Sequence, residues 1–181
     1  MQVTRFELDG VLMIDPLVFC DQRGFFMESY NRQRYHDVGL ALDFVQDNLS
    51  FSQRGTLRGM HFQNPQPQGK LVSVFHGEIF AVAVDIRQSS STFRRWVGVT
   101  LSSGNKRQFW VPHGFAHGFA VTSEAALVHY KCSSLYSQKD EAGFRWNDPE
   151  IGIEWPLLHP TLSPRDKRAP LFNEVPTERL F

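Results

Sequence analysis

Only two of the 181 residues are cysteines, Cys20 and Cys132, and they stand far apart outside any CxxC pattern. That excludes a disulfide scaffold and a four-cysteine zinc site, and it suits a reducing compartment. An excess of charge of one sign is also missing, since Lys plus Arg and Asp plus Glu both number 19. No global field recruits nucleic acid or an anionic membrane, so an anionic ligand must be held by a few aimed cations. Nothing approaches the roughly 18 uninterrupted apolar residues of a membrane span. The opening MQVTRFELDG has neither the basic stretch nor the apolar run of a signal peptide, which predicts a cytoplasmic protein. GxGxxG, P-loop and G-x-S-x-G patterns are absent, and nothing suggests a built-in redox cofactor.

What is present is ordinary for a globular chain of one-domain size, with 41% hydrophobic and 21% charged residues. The unusual supply is aromatic, with 13% aromatic residues and sixteen Phe. Such rings suit a β-rich core, where most are expected, and offer stacking surfaces for planar ligands. Period-two alternation runs through KLVSVFHGEIFAVAVDIR (70–87) and predicts two strands turning at His76–Gly77–Glu78. Further strands are predicted at 96–101, 108–111, 116–121 and 126–133, separated by Gly, Ser, Asn and Pro. Only 32–39 reads as helical, and the polar, Pro-rich residues 157–181 are expected to wrap the surface. The pattern is one antiparallel β domain, a sandwich or small barrel spanning 1–181.

In such a barrel every second side chain points inward, and inward polar groups are costly unless paired or used. GTLRGMHFQ (55–63) sets Arg58 and His61 among apolar residues; Lys70 opens an apolar strand; PHGFAHGF (112–119) embeds His117. Each has a plain structural explanation by itself, and none compels a function. A metal-binding barrel of this kind needs a second imidazole near His61 and a carboxylate further on. Phe62, Gln63 and the cation Lys70 stand there instead, so the site is expected to hold no metal.

The motifs together resemble the dTDP-4-dehydrorhamnose 3,5-epimerase family almost end to end. The likeness runs through DQRGFFMESYN (21–31), FVQDNLS (44–50), GTLRGMHFQ (55–63), QGKLV (68–72), VAVDIR (82–87) and STFRRWVGVTLS (91–102). It continues through WVPHGFAHGF (110–119), WNDPEIGIEWP (146–156) and LSPRD (162–166). The resemblance implies an all-β cupin fold, a jelly-roll antiparallel sandwich barrel with few short helices. It implies a cofactor-independent isomerase that inverts C3 and C5 of a dTDP-linked 4-keto-6-deoxy sugar through enolates.

By the same resemblance His61 is the base with Asp166 behind it, Lys70 neutralises the enolate oxygen, and Tyr130 returns a proton on the opposite face. A histidine suits proton abstraction near neutral pH, and fixed positive charge suits an oxygen that becomes negative. Tyr136 corresponds to the aromatic that stacks on thymine. Arg23, Glu28, Gln46 and Asn48 correspond to nucleotide or sugar contacts, as do Arg58, His117, Glu141 and Arg165. Guanidinium groups suit the diphosphate, which they grip through paired hydrogen bonds. The family forms homodimers whose N-terminal segment reaches into the neighbouring subunit, which would put Arg23 and Glu28 at the partner's site. Two positions depart from the family pattern: Arg165 stands where Lys is more usual, and His113 is an added imidazole. Single-centre epimerases, ketoisomerases and non-catalytic nucleotide-sugar binders share much of the pattern, and the residues alone leave these open.

Overall fold

The computed structural model describes residues 1–181. Its strands are β1 (Gln2–Arg5), β2 (Leu12–Asp15), β3 (Val18–Asp21), β4 (Gly24–Met27), β5 (Gln46–Gln53), β6 (Leu57–Gln63) and β7 (Lys70–His76). They continue with β8 (Glu78–Asp85), β9 (Trp96–Ser102), β10 (Gln108–Val111), β11 (Phe115–Val121), β12 (Ala125–Cys132) and β13 (Glu141–Gly143). Two short α-helices, α1 (Arg32–Asp37) and α2 (Pro164–Lys167), and two 3-10 turns near the C-terminus complete the chain. One sheet has the order β1-β2-β10-β7-β12-β5, the other β13-β6-β11-β8-β9, and β3 and β4 form a separate hairpin. Every strand pairing within these sheets is antiparallel. This is the all-β sandwich that the alternation predicts.

Alternation explains the layers. Val72 and Val74 of β7, Phe109 of β10 and Val128 of β12 meet Ile79 and Ala81 of β8 and Phe119 of β11 between the sheets. Truncating a ring such as fully buried Phe109 to alanine costs about 3–5 kcal/mol. The outer face of the five-stranded sheet carries Met60, Phe62, Val82 and Val84, covered by Phe172, Val175 and Leu180 of the C-terminal segment. That segment also bridges Thr161 to Thr56 and bonds Phe181 to Ile86 through the backbone. On the six-stranded sheet, Tyr35 of α1 and Leu40 pack on Leu12, Ile14 and Trp110. Asn31 caps α1 by accepting from the Arg34 amide.

Gly77 alone turns β7 into β8, at φ +75°, and a Cβ there would lie 1.9 Å from the Ala125 carbonyl oxygen. No other residue fits that corner. One expectation needs correcting. The sequence shows one helix, but α2 forms as well: Pro164 opens it and Ser163 caps it, in a span too short for any periodic signal. Most Phe rings are buried or pack against a core cluster, as expected; the exceptions are Phe19, Phe25, Phe26, Phe51 and Phe75, each more than half exposed. They lie on the β3–β4 hairpin and on the outer face of β5 and β7. No helix is long and apolar enough to cross a membrane.

Candidate active site

Two adjoining cavities, of about 200 and 260 Å³, lie between the sheets and share His61, Lys70, Tyr130 and Glu141 in their walls. His61 on β6 and His117 on β11 come from the five-stranded sheet. Lys70 on β7 and Tyr130 on β12 come from the opposite sheet. Because Met60 and Phe62 turn outward to the C-terminal segment, His61 between them turns inward. In the facing sheet, register sets Gln46, Cys132 and Lys70 in one cross-strand row and Asn48, Tyr130 and Val72 in the next.

His61 Nε2 lies 2.6 Å from Asp166 Oδ1, and the Asp166 side chain is 5% exposed. Asp166 sits on α2, where its amide donates to Ser163 Oγ at 3.0 Å. Burial by itself would raise the Asp166 carboxyl, but the bond to His61, the His61 charge, Ser163 and Arg165 together hold it below the usual range. The carboxylate therefore stays ionised behind the imidazole.

His117 pairs with His61 across β11 and β6, just before an irregularity in the register. There the backbones approach so closely that a Cβ on Gly59, at φ +123°, would stand 2.6 Å from Gly118 Cα. His117 has no carboxylate. Burial first, then the charges of Lys70 and His61, push its imidazole well below the ordinary value, so it is neutral. Its Nε2 is buried with no hydrogen-bond partner.

Burial lowers Lys70, partly offset by Cys132 and Glu141. Burial raises the Tyr130 phenol, with Cys132 and Glu141 adding to the effect and Arg58 opposing it. A lysine that is hard to keep charged and a tyrosine that is hard to ionise share one space with a histidine backed by a carboxylate. Around them, Arg58 Nε and Nη2 donate to Ser52 Oγ at 3.1 and 3.0 Å, joining the two sheets. Tyr136 Oη donates to Glu141 Oε2 at 2.7 Å, and Arg165 pairs with the same carboxylate. Gln46 accepts from the Tyr136 amide and donates to Asn48, which in turn donates to Cys132 Sγ. The Tyr136 ring is left half exposed at the mouth, open for stacking.

Eleven of the residues singled out in the sequence thus line one space: His61, Lys70, Tyr130, Asp166, Gln46, Asn48, Arg58, His117, Tyr136, Glu141 and Arg165. Arg23 and Glu28 do not join them. Arg23 pairs with Asp21 at the tip of the hairpin, and Glu28 holds Asn31 and Arg34. His113 bonds Ser133 Oγ at 2.7 Å and lines neither cavity. Sequence reasoning passed over Ser50 and Gln63, both in the walls. The signal for Ser50 is the period-two row on β5 from Gln46 and Asn48 to Ser50 and Ser52, all turned inward; Gln63 ends β6 and has no such signal. No three His, Cys, Asp or Glu side chains come together as a metal-binding group. A larger hollow of about 510 Å³ lies beside Asp166 and Arg165, without Lys70 or Tyr130 in its walls.

The profile of the dTDP-4-dehydrorhamnose 3,5-epimerase family matches residues 5–174. The chain belongs to this family. It is 53% identical over 177 residues to the dTDP-4-dehydrorhamnose 3,5-epimerase of Shigella flexneri, covering 97% of this chain and 98% of that protein. It is equally 53% identical, over 153 residues, to the corresponding enzyme of Methanothermobacter thermautotrophicus, covering 84% of this chain and 83% of that one. The crystal structure of dTDP-6-deoxy-D-glucose-3,5-epimerase from Legionella pneumophila Philadelphia 1 in complex with dTDP-4-keto-L-rhamnose superposes with a TM-score of 0.96. That match has 49% identity and covers 99% of this chain and 96% of the other. The sandwich is therefore the cupin fold of these epimerases, and this chain is a carbohydrate epimerase in that family.

Proposed function

We propose that the chain inverts C3 and C5 of dTDP-4-dehydro-6-deoxy-D-glucose, giving dTDP-4-dehydro-L-rhamnose through enolate intermediates. His61 removes the proton next to the ketone, and Asp166 keeps the imidazole oriented and stabilises its charged form. Lys70 places its ammonium at the C4 oxygen as negative charge develops there. Tyr130 returns a proton from the other side. The observation that carries this reading is the placement of the imidazole and the phenol on opposite sheets around one cavity. Inversion needs two different groups on opposite faces, because a single base restores the original configuration. Each step moves a proton and leaves the oxidation state unchanged, so no cofactor is called for, and the Lys70 ammonium takes the part a Lewis-acid metal would play.

Tyr136 stacks on the thymine, beside Gln46, Asn48 and Glu141, and Arg58 and Arg165 hold the diphosphate. The Legionella relative binds a dTDP-linked keto sugar, which supports this assignment. The exposed Phe19, Phe25 and Phe26 of the β3–β4 hairpin are accounted for by a homodimer in which the hairpin reaches its partner and delivers Arg23 and Glu28 there. The deciding experiment is incubation with the 4-keto substrate in heavy water, followed by NMR. Deuterium at both C3 and C5, with inverted product, is expected. Label at one carbon overturns the double inversion; label at neither overturns the catalytic reading.

A further inference from the structure

Just two buried side-chain polar atoms in the chain lack a hydrogen-bond partner, His117 Nε2 and Ser50 Oγ. Both residues line the same cavity, the one that holds Arg58, Lys70 and Tyr130. A buried polar atom without a partner is destabilising and persists where something else offsets it. For His117 the family resemblance supplies a substrate contact. Ser50 has no role so far.

The strand geometry suggests what Ser50 meets. On β5 the inward row is polar throughout, Gln46, Asn48, Ser50 and Ser52. Gln46 and Asn48 serve the end where Tyr136 is held. Ser52 serves the other end, where its Oγ fixes the Arg58 guanidinium through two bonds. Ser50 lies between, across the sheet from Val128 and one row beyond Tyr130. Its hydroxyl has no hydrogen-bond partner, and the cation in the same cavity, Arg58 of β6, is already anchored by Ser52. A ligand oxygen bearing negative charge, set against Arg58, would find in Ser50 a hydroxyl donor that one rotation about χ1 turns toward it.

We infer that Ser50 is a further binding residue, whose hydroxyl donates to a diphosphate oxygen of the nucleotide sugar beside Arg58. This rests on the assignment of Arg58 to the diphosphate given above. Anchored guanidinium and short hydroxyl then act as a two-point clamp, and the sugar end is left to Lys70, His61 and Tyr130.

The test is calorimetric titration of wild type, Ser50→Ala and Ser50→Thr with dTDP and with thymidine, together with melting temperatures. Wild type binds dTDP, Ser50→Ala binds it roughly 5- to 20-fold more weakly, and thymidine affinity is unchanged. Ser50→Thr keeps the hydroxyl and recovers most of the affinity. Without ligand, Ser50→Ala melts no lower than wild type, since it loses an unpartnered group. Equal dTDP affinity in wild type and Ser50→Ala overturns the inference, and so does an equal loss for thymidine or a lowered melting temperature. An effect on KM for the complete substrate with dTDP affinity unchanged also overturns it, moving the contact to the sugar. Failure of wild type to bind dTDP at all instead removes the assignment on which it rests.

Discussion

His61 and His117 are cross-strand neighbours on β6 and β11, yet only His61 has a carboxylate against its ring. In the proposed mechanism that asymmetry gives the two imidazoles of one cavity different tasks. Burial first, then the charges of Lys70 and His61, disfavour a proton on His117, whereas the ionised Asp166 carboxylate lies against the His61 ring. Replacing His61 with Asn is expected to lower kcat by about 10²–10⁴-fold. Asp166→Asn should cost a smaller part of that range and leave KM within a few-fold. Rates of deuterium uptake at C3 and C5 measure both. Uptake by Asp166→Asn at the wild-type rate would remove the carboxylate from the mechanism.

Tyr130→Phe separates proton loss from inversion. His61 still abstracts, so substrate hydrogen continues to exchange with solvent, but the proton returns from the same side. NMR in heavy water should show labelled starting sugar with inverted product reduced by about 10²-fold or more. Normal yield of inverted product would mean that another group delivers the second proton.

Lys70 is expected to set the alkaline limit of activity. Burial, its main influence, lowers the ammonium from the ordinary lysine value, so as pH rises its charge is lost earlier than that of an exposed lysine. The fall in kcat on the alkaline side should therefore begin below about 10.4, the usual lysine pKa. Lys70→Arg, which keeps its charge, should move that limb upward while lowering the maximum. Lys70→Met should remove nearly all activity across the pH range. A pH–rate profile of Lys70→Arg identical to wild type would assign the limb elsewhere.

Acid stability reports on a different carboxylate. Asp85 is fully buried; burial would raise it, but Arg87, Ser90 and Thr92 bond it and bring it down to about 2. A carboxyl depressed on folding stabilises the protein above its unfolded pKa of about 3.9. That contribution, on the order of 2 kcal/mol, disappears as pH falls from about 4 toward 2. Asp85→Asn should lower the melting temperature at pH 7 and flatten its acid dependence. An unchanged slope between those pH values would place the acid-sensitive group elsewhere.

The hairpin yields a fifth expectation. Phe26 is 70% exposed on β4, apart from any core cluster. Phe26→Asp should leave the melting of the monomer fold nearly unchanged and shift sedimentation from dimer toward monomer. It should also weaken dTDP binding if Arg23 and Glu28 serve a neighbouring subunit. A wild-type protein that sediments as a monomer rules out the exchanged hairpin.

Much of the sandwich is legible in the sequence wherever strands have one apolar face toward the core, as in Lys70–His76 and Glu78–Asp85. β5 is not legible in that way, because its phase is reversed: Leu49 and Phe51 face out while Asn48, Ser50 and Ser52 face in. β3 and β4 have no core to face and so no burial pattern to read. The site is a different matter. His61 and Asp166 are 105 positions apart, and no local period relates them. Only the resemblance joins them, whereas the register explains why His61, His117, Lys70 and Tyr130 point into one space.

The strap that carries Asp166 has a consequence for biosynthesis. Ribosomes deliver His61, Lys70 and Tyr130 well before α2, so a nascent chain acquires its imidazole, ammonium and phenol with nothing yet behind the imidazole. The imidazole gains its carboxylate only when residues 163–168 have emerged and α2 has docked beside β6.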